Sequence, residues 1–209
     1  MAGHDHPLDR VARGLVIAHT APPRLLTDPF NFTGAVPVTR TNTGIYVVMG
    51  VAGSGKSLIG AAFARALGVE FVEGDDHHPA ENVRRMAAGI PLTDDDRAGW
   101  LQSLAARIRA AKDAGTGLVV TCSALKRKYR NVLRAADADV RFVFLRGPRG
   151  LIAERLANRR GHYMPASLLD SQLATLEEPS SDEDAWVCDI SQPPDAVVAA
   201  LVARVSRDR

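Results

Sequence analysis

The sequence has few of the residues that mark disulfide-rich or membrane-embedded proteins. Two of its 209 residues are cysteines, Cys122 and Cys188, and each ends a short apolar run. So few cysteines exclude a disulfide framework and predict buried thiols in a reducing compartment. No apolar run approaches the roughly 18 residues of a membrane-spanning helix, and the apolar patch LVIA at 15–18 is too short for a signal-peptide core. We therefore expect a cytoplasmic protein with no membrane contact.

The net charge is also small. Lysine and arginine total 26, aspartate and glutamate total 24, and the formal net charge is +2. A nucleic-acid-binding domain usually has a strongly basic surface, so we expect no nucleic-acid partner. The hydrophobic fraction of 46% and the charged fraction of 24% are typical of soluble globular domains. The length suits one domain with a sizeable core and an appendage.

The appendage is predicted at the N-terminus, where residues 1–43 show no sustained hydrophobic period and are interpreted as a partly disordered extension. Its prolines are Pro7, Pro22, Pro23, Pro29 and Pro37. Residues 44–209 form the predicted domain, in which strand-like and helix-like patterns alternate. Strands are predicted at 45–49, 69–74, 117–122, 140–146 and 185–190, and helices at 56–67, 79–89, 94–114, 126–136, 148–160, 166–176 and 194–207. This alternation predicts a parallel sheet covered by helices on both faces.

The stretch GVAGSGKS at 50–57 joins the first predicted strand to the first predicted helix and fits the phosphate-binding pattern G-x-x-x-x-G-K-[ST]. Glycines let consecutive backbone N–H groups approach phosphate oxygens, and the helix offers the positive end of its dipole. In this pattern Lys56 reaches the β- and γ-phosphates of ATP, and Ser57 ligates Mg²⁺. The predicted ATP-binding residues of the loop are Gly50, Val51, Ala52, Gly53, Ser54, Gly55, Lys56 and Ser57.

Other patterns indicate the class of phosphate-loop protein. The sequence lacks the N-K-x-D pattern of GTPases, and its third predicted strand does not end in the acid that ATPase motors place there. The second predicted strand does lead into acids, at Glu73, Asp75 and Asp76. Ligands of open α/β sheets bind at the carboxyl ends of the strands, so Asp75 is placed to meet an acceptor molecule. This arrangement favours a small-metabolite kinase.

The segments GVAGSGKS, GDDHHPAENVRRMAAGIPLTDDDRAGWL, CSALKRKYR, RGHYMP and TLEEP together resemble small phosphate-loop gluconokinases, over about 45–205. The resemblance implies that the γ-phosphoryl group of ATP is transferred to D-gluconate with Mg²⁺, and commonly a homodimer. It also implies a nucleoside-monophosphate-kinase-like fold. This is a P-loop NTPase three-layer αβα sandwich with a five-stranded parallel sheet and a mobile lid at about 155–166. Residues 1–43 have no counterpart in the resemblance.

The resemblance also implies roles for individual residues. Lys56 and Asp75 are the expected catalytic residues, and Asp75 is expected to orient and deprotonate the attacking hydroxyl. The expected gluconate-binding residues are Asp75, His78, Arg97, Ser123 and Lys126, and the expected nucleotide contacts from the lid are Arg155 and Arg159. Glu73 stands where family members often have aspartate, which leaves its part in Mg²⁺ binding open.

Simpler interpretations apply to other polar and aromatic residues. Asp94, Asp95 and Asp96 follow Thr93 at a predicted helix start, where they complement the helix dipole. Trp100 is interpreted as a core residue, as is Trp186. Two other functions stay open: a kinase of another small hydroxy acid such as shikimate, and a nucleotide-binding regulator that transfers no phosphate. Shikimate kinases usually carry a glycine-rich loop where this chain has CSALK.

Overall fold

The computed structural model describes residues 42–158 and 166–208, which form a parallel sheet flanked by helices. The strands are β1 (Ile45–Met49), β2 (Glu70–Val72), β3 (Leu118–Thr121), β4 (Arg141–Arg146) and β5 (Trp186–Asp189). Their spatial order is β2-β3-β1-β4-β5, and each neighbouring pair is parallel. Because β1 is the central strand, the loop that follows it opens in the middle of the carboxyl edge of the sheet.

The run IYVVM of β1 shows why the strands are continuously apolar. All five of its residues are buried, and successive side chains enter different cores. Val47 and Met49 belong to the core on one face, whereas Tyr46 and Val48 belong to the core on the other. A strand that is covered on both faces is therefore almost entirely apolar.

The helices form the two outer layers. Their bounds are α1 (Lys56–Leu67), α2 (Ala80–Ala87), α3 (Asp94–Asp113), α4 (Arg127–Arg134), α5 (Arg149–Ala157), α6 (Ala166–Thr175) and α7 (Pro194–Arg207). Buried residues of α3 and α4 line one core, and those of α1, α5, α6 and α7 line the other. The predicted three-layer αβα architecture with a five-stranded parallel sheet is confirmed. None of the helices within the described ranges is both long and apolar enough to cross a membrane.

Two predicted details need correction, the end of the second strand and the burial of Cys188. The second strand was predicted over 69–74, but β2 ends at Val72 and a 3₁₀ turn covers Gly74–His77. A side chain at Gly74 would lie 1.9 Å from the Thr121 carbonyl oxygen, so the chain packs there by bare backbone and turns away. Cys122 is buried as predicted, but Cys188 is half-buried because β5 is an edge strand. Asn42, near the end of the segment predicted as an extension, is 5% exposed.

Candidate active site

The phosphate-binding loop connects β1 to α1. Gly55 has a φ of +92°, which glycine adopts without the strain that other residues suffer. A side chain at Gly53 would lie 2.7 Å from Leu156 of α5, so this position also needs bare backbone. A hydrogen bond of 3.2 Å from the Ser54 N–H to the Val51 carbonyl closes the turn. The glycines of the motif therefore shape the loop and allow a close approach to its backbone.

The start of α1 is open to an anion. Its first turn has no acidic residue, and Gly55 at its N-cap provides no side-chain cap. The start of α3 differs, because its first turn contains three aspartates and a capping box. There the Thr93 hydroxyl accepts the Asp96 N–H at 3.2 Å, and the Asp96 carboxylate accepts the Thr93 N–H at 2.7 Å. Both helix starts are positive ends of a dipole, but only that of α1 among these two is left for a bound phosphate.

Lys56 and Ser57 form the first residues of α1. The Lys56 ammonium group donates to the Val51 carbonyl at 3.1 Å, so the side chain folds back along the loop. Ser57 is exposed at the surface of the same turn. These positions place a positive charge and a hydroxyl oxygen beside the open helix start, as phosphate and Mg²⁺ binding require.

Glu73 is held at the carboxyl edge by β3. The Thr121 hydroxyl donates to the Glu73 carboxylate and accepts the Gly74 N–H at 2.9 Å. Thr121 is the last residue of β3, which lies beside β1, and it is 1% exposed. The acid that is missing from the end of β3 is therefore supplied next to it from the end of β2.

The buried thiol of Cys122 lies just after β3, within the electrostatic influence of three predicted site residues. Its pKa is raised to about 12, chiefly by burial. The negative charge of Asp75 raises it further, and the positive charges of Lys56 and Arg97 oppose that rise. Asp75 lies in the turn after β2, Lys56 at the start of α1 and Arg97 in the first turn of α3, so all three follow the carboxyl ends of strands or begin the helices beside them.

His78 lies between the 3₁₀ turn and α3. Its ring stacks on Trp100 with the centroids 4.1 Å apart and the planes inclined by 15°. Trp100 is 1% exposed, and its indole N–H donates to the Gly74 carbonyl at 2.7 Å. Burial lowers the pKa of His78 and the Arg97 charge lowers it further, although Asp75 opposes this. His78 is therefore neutral at physiological pH, and Trp100 is both a core residue and the support of its ring.

Arg97 extends from the first turn of α3. One of its nitrogens, Nη1, donates to the Leu92 carbonyl and to the Thr93 carbonyl, the latter at 3.2 Å. Within the described residues, no protein acceptor is found for its Nε and Nη2. The guanidinium carbon lies 5.8 Å from the centre of the Tyr129 ring. Arg97 is therefore anchored through one nitrogen and keeps two others for a ligand such as a carboxylate.

Lys126 belongs to a cluster of cations around Tyr129. Its ammonium group lies 2.8 Å from the Asp94 carboxylate, and both Lys128 and the Tyr129 hydroxyl donate to the same carboxylate. These hydrogen bonds, that from Lys126 first, hold the pKa of Asp94 well below its usual range. The ammonium nitrogens lie 5.7 Å and 6.0 Å from the ring centre, and Arg97 lies on the ring as well. The cations of Lys126, Lys128 and Arg97 thus meet around the Tyr129 ring, and Asp94 pairs with both lysines.

Ser123 links this cluster to the phosphate-binding loop. Its carbonyl accepts the Gly50 N–H at 3.3 Å. The next residue, Ala124, has a φ of +45°, a left-handed conformation that is unfavourable for alanine. Buried Arg130 supports this turn by donating to the Ala124 carbonyl at 3.0 Å. The segment 122–126 is therefore fixed between the loop on one side and α4 on the other.

Arg130 is itself held by a buried ion pair. Its Nε and Nη2 donate to the two Glu183 oxygens at 2.6 Å and 2.7 Å, and both side chains are 1% exposed. Its Nη1 also donates to the Glu177 carbonyl at 2.9 Å. A planar guanidinium suits this two-pronged geometry. The pair joins the segment 122–126 to the segment that follows α6.

The predicted lid arginines are located only in part. Arg155 lies in α5, where its Nη2 donates to the Ile190 carbonyl at 2.8 Å. Arg159 lies outside the described residues, as does most of the predicted lid segment. A residue of α6, Gln172, contacts the phosphate-binding loop instead, because its amide oxygen accepts the Ala52 N–H at 2.7 Å. The predicted nucleotide contacts of Arg155 and Arg159 stay predictions.

Sequence reasoning missed several residues of the site. Asp94 was interpreted only as a helix-start acid, but it also pairs with α4 across the site. Tyr129 and Arg130 belong to the motif CSALKRKYR, so their place in that motif was a usable signal. Gln172 gives no local signal, because its partner Ala52 is 120 residues away.

The comparisons with known proteins agree with this geometry. A family model described as an AAA domain matches residues 45–179. The gluconokinase of Gluconobacter oxydans (strain 621H) is 49% identical over 156 residues, which cover 75% of this chain and 88% of that protein. The thermoresistant gluconokinase of Escherichia coli (strain K12) is 41% identical over 166 residues, which cover 79% and 95%.

A solved structure is similar as well. The crystal structure of a gluconokinase from Sinorhizobium meliloti 1021 superposes with a TM-score of 0.73 at 47% identity, covering 80% of this chain and 94% of that one. The similarity to these proteins therefore extends over most of their length, in sequence and in fold. The chain belongs to the gluconokinase family.

Proposed function

We propose that this protein is a gluconokinase that transfers the γ-phosphoryl group of ATP to D-gluconate, giving 6-phospho-D-gluconate and ADP. The observation that carries the proposal is the pairing of two anion sites at one sheet edge. One is the open start of α1 with Lys56, and the other is the group of cations Arg97, Lys126 and Lys128 around Tyr129. A triphosphate fits the first, and a sugar acid fits the second.

On the nucleotide side, the loop N–H groups and Lys56 bind phosphate oxygens. No group of three or more metal-ligating His, Cys, Asp or Glu side chains occurs in the described ranges. This agrees with Mg²⁺, which keeps several waters and takes one or two protein oxygens plus phosphates. Ser57 and Glu73 are the oxygen donors that suit it, and the ion supplies neutralisation of phosphate charge when bound.

On the acceptor side, the gluconate carboxylate binds the two available nitrogens of Arg97, with Lys126 and the Ser123 hydroxyl beside it. The neutral imidazole of His78 can donate to or accept from a sugar hydroxyl, and its stacking on Trp100 fixes the ring plane. These contacts present one end of the acceptor to the carboxyl end of β1. The acceptor's other end is then directed toward the nucleotide.

Asp75 orients the attacking hydroxyl and accepts its proton. Its carboxylate is exposed at the edge, and its charge acts on both Cys122 and His78. A sugar hydroxyl is a weak nucleophile, so alignment by a carboxylate and removal of its proton both help the transfer. The phosphoryl transition state is loose, and alignment is therefore expected to contribute more than basicity.

The lid contacts, the oligomeric state and the cellular compartment are proposed from the family resemblance. Arg155 and Arg159 contact the nucleotide from a lid at about 155–166, the enzyme is a homodimer, and it acts in the cytoplasm. Size-exclusion chromatography with light scattering tests the dimer. Fractionation of the source cells tests the compartment.

A panel of acceptors tests the reaction. The purified protein, ATP and Mg²⁺ are incubated with gluconate, shikimate and other small hydroxy acids, and ADP release is measured in a coupled assay. We expect the highest kcat/KM with gluconate. A higher kcat/KM with another acid, or nucleotide binding with no turnover on any acid, would contradict the proposal in favour of the other two functions.

A matched pair of variants tests the acceptor site. Arg97→Lys removes the planar fork, so the KM for gluconate should rise about tenfold or more, in line with the loss of a charge-assisted hydrogen bond. Arg107→Lys is the control, because Arg107 lies on the same helix and pairs with Glu70 at the surface. Equal KM values for gluconate in both variants would remove Arg97 from the acceptor site.

A further inference from the structure

We propose that Gln172 is a positioning residue of the phosphate-binding loop, which holds the loop through the Ala52 N–H and so prepares it for the triphosphate. The inference rests on the proposed kinase function, because it concerns how the same loop receives ATP. Its starting point is the hydrogen bond of 2.7 Å from the Ala52 N–H to the Gln172 amide oxygen. This bond connects the loop to α6, 120 residues further along the chain.

The helix that carries Gln172 is fixed on several sides. Leu169 is 1% exposed and belongs to the core, and Leu173 packs against that core. Asp170 accepts two hydrogen bonds from Arg149 of α5, at 2.7 Å and 3.0 Å. Just after the helix, the Glu177 N–H donates to a carbonyl of the segment 122–126 at 2.8 Å. A helix anchored in this way holds the Gln172 side chain in place while ATP binds to the loop.

The loop needs such a support at this point. Ala52 lies early in the loop, before the residues that begin α1, and the neighbouring Gly53 packs closely on Leu156 and Ile152 of α5. Consecutive loop residues therefore contact α5 and α6. An N–H that is satisfied by a fixed side chain keeps this half of the loop ordered, so binding ATP costs less conformational entropy. The later N–H groups of the loop and of the α1 start receive the phosphates.

The chemistry of glutamine suits this place. An acceptor is required for the Ala52 N–H, but a carboxylate beside a triphosphate would repel it. A neutral amide provides the oxygen without the charge. Gln172 therefore acts through the loop on ATP and has no role toward the sugar acid.

Substitution of Gln172 by methionine tests the inference. Methionine has the same unbranched length and lacks the amide oxygen. We expect the KM for ATP to rise about fivefold, the usual value of one hydrogen bond, whereas the KM for gluconate stays the same. Calorimetry with a non-hydrolysable ATP analogue should show the same weakening of affinity without any turnover. Gln102→Met is the control, because Gln102 is exposed on α3.

A second variant separates the oxygen from the charge. Gln172→Glu retains an acceptor, so the melting temperature without nucleotide should match that of the natural protein and exceed that of Gln172→Met. Its affinity for the ATP analogue should nevertheless fall, because the carboxylate repels phosphate. Unchanged ATP affinity in Gln172→Met would overturn the inference, and so would equal rises of both KM values. Neither result depends on which acid is the natural acceptor, so failure here is distinct from failure of the proposed function.

Discussion

Loss of charge at Glu183 should destabilise the protein strongly, although Glu183 lies outside the predicted site. The two oxygens of Glu183 bind Arg130 at 2.6 Å and 2.7 Å, and both side chains are 1% exposed. Glu183→Gln keeps the size of the side chain, but it leaves the guanidinium charge buried without a counter-ion. Breaking a buried pair from one side costs about 3–5 kcal/mol.

The expected loss can be converted to a melting temperature. For a domain of roughly 150–250 residues, 1 kcal/mol corresponds to about 2–4 °C. Glu183→Gln at the lower limit of about 3 kcal/mol should therefore melt about 6–12 °C lower. The control is Asp184→Asn at the next position, where an exposed pair with Arg141 contributes about 0–1 kcal/mol. Asparagine also tolerates the φ of +48° at that position.

The same variant has a pH signature. Hydrogen bonds from Arg130 lower the pKa of Glu183 below its ordinary value of 4.5. A carboxyl group with a depressed pKa contributes its full stability above the unfolded pKa and loses it as the pH falls through the folded pKa. The difference in melting temperature between the natural protein and Glu183→Gln should be constant above about pH 5.5 and shrink below 4.5.

The assay is thermal unfolding followed by circular dichroism at several pH values, together with steady-state kinetics at 25 °C. Arg130 also supports the Ala124 carbonyl, so the folded variant should show a higher KM for gluconate and a nearly normal KM for ATP. A fall in melting temperature of less than about 2 °C at pH 7 would refute the reasoning. So would a difference that persists unchanged at pH 3.5.

Three further changes test other parts of the molecule. Lys56→Ala should abolish phosphoryl transfer and leave the circular dichroism spectrum unchanged, because the lysine acts on phosphate charge; near-normal turnover would contradict this. Asp75→Asn should lower kcat at saturating gluconate by roughly 10²-fold or more. Its affinity for ATP, measured by calorimetry, should change little. A decrease of kcat by only a few-fold would show that another residue is the general base. Removal of residues 1–41 should preserve kcat and the melting temperature. Removal of residues 1–43 should lower the melting temperature, because it deletes buried Asn42, whose side chain accepts the Gly44 N–H at 2.9 Å. Equal melting temperatures of the two truncated proteins would show that Asn42 contributes nothing.

The fold was predictable because its signals are local. The apolar run of β1, the glycine motif after it and the glycine at the end of α1 each determine one element from neighbouring residues. The bounds of α1 and α7 agree with the predicted ranges 56–67 and 194–207. The strand order was not predicted, since it depends on how distant strands pair.

The site was predictable only where a motif names its residues. Lys56 is predicted from the glycine motif after β1 and Asp75 from its place just after β2, and the structure gives these two positions as the start of α1 and the 3₁₀ turn. The partner of Glu73 was not predictable from the sequence. Thr121 has the pattern of an ordinary strand residue, and its hydroxyl donates to the Glu73 carboxylate only because β2 and β3 pair. The cations around Asp94 likewise meet only after α3 packs on α4.

The different starts of α1 and α3 affect how the nucleotide and the sugar acid bind at separate sites. Each helix directs the positive end of its dipole toward the same edge of the sheet, so both helix starts attract a highly charged nucleotide. The capping box of α3 occupies N–H groups at that start, and its first-turn aspartates offset the dipole, so a triphosphate is better accommodated at the start of α1. The sugar acid, with its single charge, gains more from a flat guanidinium than from a helix start. The sequence TDDD at 93–96 therefore works against binding of ATP over the acceptor position, a misplacement that would be measured as inhibition by excess ATP.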